Sequence, residues 1–180
     1  MENIEHYVYM VIDEETFDVK YIGKGKGKRC FNILSGISNN YEANKAYHTG
    51  LTEKCGVFTA FDNLTNDLAL KIEKSMIYTI QPTWNSDHKN WKPNVSSQFI
   101  MIGWRIKALI QCFKWGLFKQ AEDRTELMLN LFDMIWYEDL KYVQEYIEDV
   151  YAEATPELKN ALLTVYDVCT KMAIQSQEDD

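Results

Sequence analysis

Residues 7–29, YVYMVIDEETFDVKYIGKGKGKR, constrain the fold more than any other stretch. Two short runs rich in Val, Ile and Tyr, 7–12 and 19–22, suit a pleated surface. The polar connection 13–18 between them is short enough for a hairpin. Straight after the second run comes Gly23-Lys24-Gly25-Lys26-Gly27-Lys28-Arg29. Alternating glycine frees the backbone to turn and to approach a ligand closely. The cations Lys24, Lys26, Lys28 and Arg29 give that turn an attraction for phosphate. It is neither a Walker A motif nor a complete G-x-G-x-x-G. The alternative is a flexible basic loop.

Downstream, 29–34 starts a short helix that Ser35-Gly36 ends, and Asn39-Asn40 precedes a helical run over 41–54. Residues 57–61, Val-Phe-Thr-Ala-Phe, read as a third strand. Asp62-Asn63 and Thr65-Asn66 offer side-chain oxygens to cap a helix over 65–80. Advancing about 100° per residue puts Leu68, Ala69, Ile72, Met76, Ile77 and Ile80 on one apolar arc. Glu73 is the only charge inside it. A carboxylate facing a core is costly unless it is paired, hydrogen-bonded or on a metal. One reading is a structural glutamate bonded to a nearby Tyr or Lys; the other is a ligand. Pro82 stops the helix, and Asn85 follows shortly after. Residues 86–97 read as a connector, with Asp87-His88 either a metal pair or an exposed loop pair.

The ordered set Tyr7-Val8-Tyr9, Tyr21-Ile22-Gly23, a following Lys/Arg, a helical Glu73 and then Asn85 resembles the GIY-YIG nuclease family. The resemblance covers about the first half of the chain. It implies an α+β domain over 1–94, a small three-stranded antiparallel sheet flanked by helices. It implies catalytic roles for Tyr9, Tyr21, Arg29, Glu73 and Asn85, with both tyrosines in one pocket. Phosphodiester hydrolysis needs an activated water and cationic help for the developing charge. Glu73 is the expected ligand of one Mg²⁺ (or Mn²⁺), a hard cation that keeps several waters. Arg29 is expected on a non-bridging phosphate oxygen, with Lys24, Lys26 and Lys28 as further phosphate contacts. A tyrosine acting as base needs neighbouring cations, since an unperturbed phenol titrates at about 10. The alternative for Tyr9 and Tyr21 is a pair of plain half-buried strand tyrosines. Two departures stand out. Tyr7 occupies the place of the family's first glycine, and the short interval from Tyr21 to Arg29 lets Cys30 or Phe31 compete for the arginine's slot. His48 is better read as exposed or structural than as part of the site.

The second half, 98–180, is expected to be an all-α domain of three helices with apolar residues at spacings of three and four, such as Phe99, Ile102, Ile106, Leu109 and Phe113. Charge divides the chain here. Residues 1–97 carry 11 Lys+Arg and 12 Asp+Glu, and 98–180 carry 8 and 15. A dedicated nucleic-acid binder is usually basic, so the acidic half is expected to contact protein: its own nuclease domain, a partner or a second copy. A hydrophobic content of 46% supports a packed core. Glu2 and Glu5 occupy the place of a basic signal region, and Arg105, Lys107 and Lys114 interrupt the longest apolar window. Neither a secretory signal nor a membrane span is therefore expected. Four scattered cysteines without a C-x-x-C fit a reducing cytoplasm. The first functional expectation is a metal-dependent endonuclease acting on DNA, with RNA as a further substrate class. The second is a catalytically silent GIY-YIG fold that binds or inhibits protein through its acidic helical half.

Overall fold

A computed structural model describes residues 5–86, 89 and 92–114 of the chain. The opening hairpin forms as the alternation predicts. Strand β1 is His6–Asp13 and β2 is Val19–Lys26, antiparallel, with Tyr9 opposite Gly23 and Tyr7 opposite Gly25. Asp13 shapes the turn, its Oδ1 accepting the Glu15 and Thr16 N–H groups at 3.0 Å each. β2 runs four residues further than its apolar residues suggest, because Gly23 and Gly25 belong to the strand. The backbone turn falls at Gly27, whose φ is +59°.

A 3-10 turn, Arg29–Ile33, replaces the expected α-helix over 29–34. Helix α1, Tyr41–His48, starts at Asn40, whose Oδ1 accepts the Ala43 N–H at 2.8 Å. The expected run over 41–54 breaks at Gly50, which is left-handed (φ +75°), and a second 3-10 turn, Leu51–Lys54, follows. Strand β3, Cys55–Leu64, pairs antiparallel with β1 on the side away from β2, giving the order β2-β1-β3. Helix α2, Asn66–Ile80, is capped by Thr65, whose Oγ1 accepts the Leu68 N–H at 3.3 Å. It ends at a left-handed Gln81 ahead of Pro82 and packs on β1 and β2.

The central strand is buried on both faces, from Val8 to Ile12. Tyr9 and Val11 join Cys30, Ile33, Ala43, Ala46 and Trp84 in one cluster. An α+β arrangement of three antiparallel strands with flanking helices is thus present.

The chain divides into two units, Met1–Val95 and Ser96–Asp180. In the second, helix α3, Ser97–Lys114, buries Ile100, Ile102, Ile106 and Ile110. Lys107 Nζ stands 4.8 Å from the Trp104 ring centroid, a cation over an aromatic face. The two further helices expected over 126–172, the bundle they would complete and the Asp87-His88 pair lie outside the described residues. Among the described residues no helix is long and apolar enough to cross a membrane.

Candidate active site

The site grows out of the pairing of tyrosine with glycine across the hairpin. A Cβ on Gly23 would stand 2.7 Å from the Tyr21 ring and 2.9 Å from the Tyr9 ring. A Cβ on Gly25 would stand 2.8 Å from the Tyr7 ring. The glycines make room for aromatic rings laid over the strand, so the rings cover bare backbone. Tyr7, Tyr9 and Tyr21 form a row, with ring centroids 5.9 Å and then 6.0 Å apart. The Tyr7 hydroxyl donates to the Gly27 carbonyl at 2.8 Å and accepts the Cys30 N–H at 3.0 Å. Tyr7 therefore pins both ends of the turn that carries Lys28 and Arg29. Its residue type suits this where glycine would not, since glycine offers neither ring nor hydroxyl.

The outer edge of β2 explains Glu73 and Asn85. An edge strand leaves alternate N–H and C=O groups without partners. Here the Trp84 N–H donates to the Lys20 carbonyl at 2.7 Å. Two residues on, the Ile22 N–H donates to Asn85 Oδ1 at 2.8 Å, and Asn85 Nδ2 donates back to the Ile22 carbonyl at 2.9 Å. Two residues further, the Lys24 N–H donates to Glu73 Oε1 at 2.8 Å. Asn40 ties the same segment to α1, its Nδ2 donating to the Trp84 carbonyl at 2.9 Å. Helix α2 and the segment after Pro82 thus stand where a fourth strand would.

These contacts enclose a cleft of about 900 Å³ whose walls include Tyr9, Tyr21, Lys24, Arg29, Glu73 and Asn85. Five separate elements supply them: β1, β2, the 3-10 turn, α2 and the segment after Pro82. Arg29, rather than Cys30 or Phe31, reaches this cleft; Cys30 is buried in the core and Phe31 points to solvent. Arg29 is close enough for its charge to pull down the pKa of both Glu73 and Tyr9. Lys24 Nζ donates to Asn66 Oδ1 at 2.8 Å. Lys26 and Lys28 are not among the residues lining the cleft. Lys26 lies two residues further along β2 and pairs with Glu5. His48 ends α1 against the Tyr47 ring and is not a lining residue either.

Burial dominates the electrostatics. It pushes the Tyr9 phenol far above its ordinary value; Tyr21 and Cys30 push the same way, and Arg29 opposes them. Burial also raises the Glu73 carboxyl, against the Lys24 N–H bond and the charges of Lys24, Arg29 and Lys74. Tyr9 is thus a neutral phenol at pH 7, and the nearby cation does not turn it into a ready-made base.

Glu73 can hold a divalent ion only as one carboxylate among other ligands. Among the described residues no three His, Cys, Asp or Glu side chains come together. That donor set fits Mg²⁺, which binds through one or two carboxylates plus substrate phosphate and keeps several waters. It does not fit zinc, which wants about four nitrogen or sulfur ligands. Compared with protein-family models, curated proteins and solved structures, the chain gave no significant match.

Proposed function

We propose that the first unit is a metal-dependent endonuclease of the GIY-YIG type that hydrolyses phosphodiester bonds in DNA. The observation that carries this reading is convergence. Two strand tyrosines, a turn arginine, a strand lysine and a helix glutamate meet in one cleft although up to 64 positions separate them, from Tyr9 to Glu73. Lys24 and Arg29 supply positive charge for a phosphate entering between them. Bound Mg²⁺ would supply Lewis-acid stabilisation and an activated water. Glu73 would hold that ion, with one oxygen already fixed by the Lys24 N–H. The buried Tyr9 hydroxyl, kept protonated, would orient water or substrate oxygen by hydrogen bonding. Tyr21, the less buried of the two, would face the entering substrate. Asn85 is a positioning residue in this scheme, because both ends of its amide are engaged by Ile22.

The experiment compares wild type with Glu73→Gln on plasmid, single-stranded and branched DNA and on RNA, each with Mg²⁺, Mn²⁺ or EDTA. Wild-type cleavage that EDTA and Glu73→Gln both abolish supports the reading. Undiminished cleavage by folded Glu73→Gln removes Glu73 from the chemistry.

The second reading, a silent nuclease fold that binds protein, draws on two observations. Glu73 and Asn85 both have structural work on the β2 edge, and the chain carries a net charge of −8, adverse to a phosphate backbone. A folded wild type inert toward every substrate and metal in that comparison would favour it.

A further inference from the structure

The cleft has lining that phosphodiester chemistry leaves unused. One phosphodiester and a hydrated divalent ion fill only part of about 900 Å³, a volume on the scale of sites for much larger ligands. A continuous part of its lining is Ile37, Ser38, Asn39, Asn40, Tyr41 and Glu42, from the loop before α1 and its first turn. Tyr41 is 74% exposed and Ile37 68% exposed, although both line the cleft. Neither side chain is needed by the core. Asn39 is exposed beside them, whereas Asn40 is committed to the helix cap and to Trp84.

We infer that this segment of the lining binds the base of an unpaired nucleotide, so that the substrate is a single-stranded or locally unpaired stretch of nucleic acid. The inference rests on the nuclease reading for its scissile phosphate, but its own observations are separate. Aromatic faces bind nucleic acid by stacking on exposed base faces, whichever the base. A regular duplex hides those faces and offers the wall only sugar and phosphate. Charge orders the cleft in the same sense. Lys24 and Arg29 are close enough for their charges to act on Glu73, whereas the segment that carries Tyr41 contributes the acidic Glu42 and no cation to the lining. Phosphate is drawn to those cations rather than to the segment with Glu42, which offers an uncharged base a ring, an isoleucine and an amide. Asn39 has a donor and an acceptor to offer a base edge.

Binding tests this without cleavage. The full chain in EDTA is titrated into fluorescently labelled oligothymidylate, oligouridylate and a duplex of matched length at one low salt concentration. Wild type should bind single strands more tightly than duplex. Tyr41→Ala should weaken single-strand binding by about five- to a hundred-fold and leave duplex binding unchanged, the range expected for loss of one stacked base. Tyr41→Phe, which keeps the ring, should stay within about two-fold of wild type on the same scale. Tyr41 is largely exposed, so neither change threatens the fold. The two oligonucleotides show whether DNA or RNA supplies the base. Unchanged single-strand binding by Tyr41→Ala, or no single-strand binding by wild type, overturns the inference. Equal plasmid cleavage by Tyr41→Ala alongside that result leaves the nuclease reading intact. Ring-dependent single-strand binding by a protein that cleaves nothing removes the nuclease reading and keeps the base site.

Discussion

Asn85 offers the sharpest test of how the site is built. Ile22 is fully buried, and both its backbone polar groups are satisfied by the Asn85 amide, at 2.8 and 2.9 Å. Asn85→Leu keeps roughly the same shape and removes both bonds. Each buried backbone group left without a partner costs about 1–3 kcal/mol. Asn85 is 7% exposed, so water can reach this edge only in part. A loss of roughly 2–4 kcal/mol is therefore expected, a large share of a typical 5–15 kcal/mol total. Asn85→Asp is more informative. Its carboxyl still accepts the Ile22 N–H, but as a carboxylate it faces the Ile22 carbonyl without a proton to donate. The protonated form restores both bonds, so the folded state raises this group's pKa. Its contribution is then fully present below the unfolded value of about 3.9 and lost as pH rises through the raised folded value. Urea denaturation followed by circular dichroism at about pH 3.5 and pH 8 measures this. Relative to wild type, Asn85→Asp should be close to native in stability at the lower pH and weakened by about 1–3 kcal/mol at the higher. A pH-independent deficit, or Asn85→Leu within about 0.5 kcal/mol of wild type, would refute the bracketing of Ile22 as a source of stability.

Glu73→Gln keeps an oxygen for the Lys24 N–H and removes a desolvated charge. The folded pKa of Glu73 is raised, so its contribution to stability is lost as pH climbs past the carboxylate range. The variant should therefore match or exceed wild type in melting temperature at pH 7 while losing metal-dependent cleavage. Cleavage by wild type should rise with pH through a value above the ordinary glutamate range, read from the pH–rate profile. Tyr7→Phe breaks the bonds to Gly27 and Cys30, costing about 1–2 kcal/mol and raising hydrogen exchange at the Cys30 amide. Gly23→Ala drives a methyl into the Tyr9 and Tyr21 rings, costing about 1–3 kcal/mol in a melt and disrupting cleavage further by moving both hydroxyls.

What the sequence conveyed was local. The hairpin, the third strand and α2 are legible because Asp13, Thr65 and Pro82 act on immediate neighbours, and the apolar alternation is strong. Tertiary contacts account for the misses. Gly23 and Gly25 look like a turn but belong to β2, because their partners across the hairpin are tyrosines that need the space. The strand's missing side chains are supplied by its neighbour, which no reading of one segment can see. The run over 41–54 looks continuous until Gly50 takes a left-handed φ. Tyr7 reads as a departure from a motif, and its function is visible only with Gly27 and Cys30 in place. Glu73 was legible as an anomaly, a charge on an apolar arc, but periodicity could not say which polar group it answers.

That group is the Lys24 N–H, and its identity bears on whether structural and catalytic roles compete at Glu73. A carboxylate has about four lone-pair positions, and one N–H occupies one of them. The Glu73 carboxylate makes no other hydrogen bond among the described residues. Carboxylates that ligate metals are commonly fixed in this way by an outer hydrogen bond, since a free side chain would lose entropy on every binding event. The edge of β2 can thus be covered and a ligand oriented by the same contact. The arrangement also couples fold to site. The strand whose edge Glu73 and Asn85 satisfy is the strand that presents Tyr21 and Lys24 to the cleft. Loosening that edge should therefore disturb the cleft before it unfolds the sheet. Asn85→Leu ought to lose single-strand binding or cleavage at urea concentrations well below its own unfolding midpoint, whereas wild type should lose both together. Coincident loss in the variant would mean that the edge contacts hold the sheet alone and that the cleft is positioned from elsewhere.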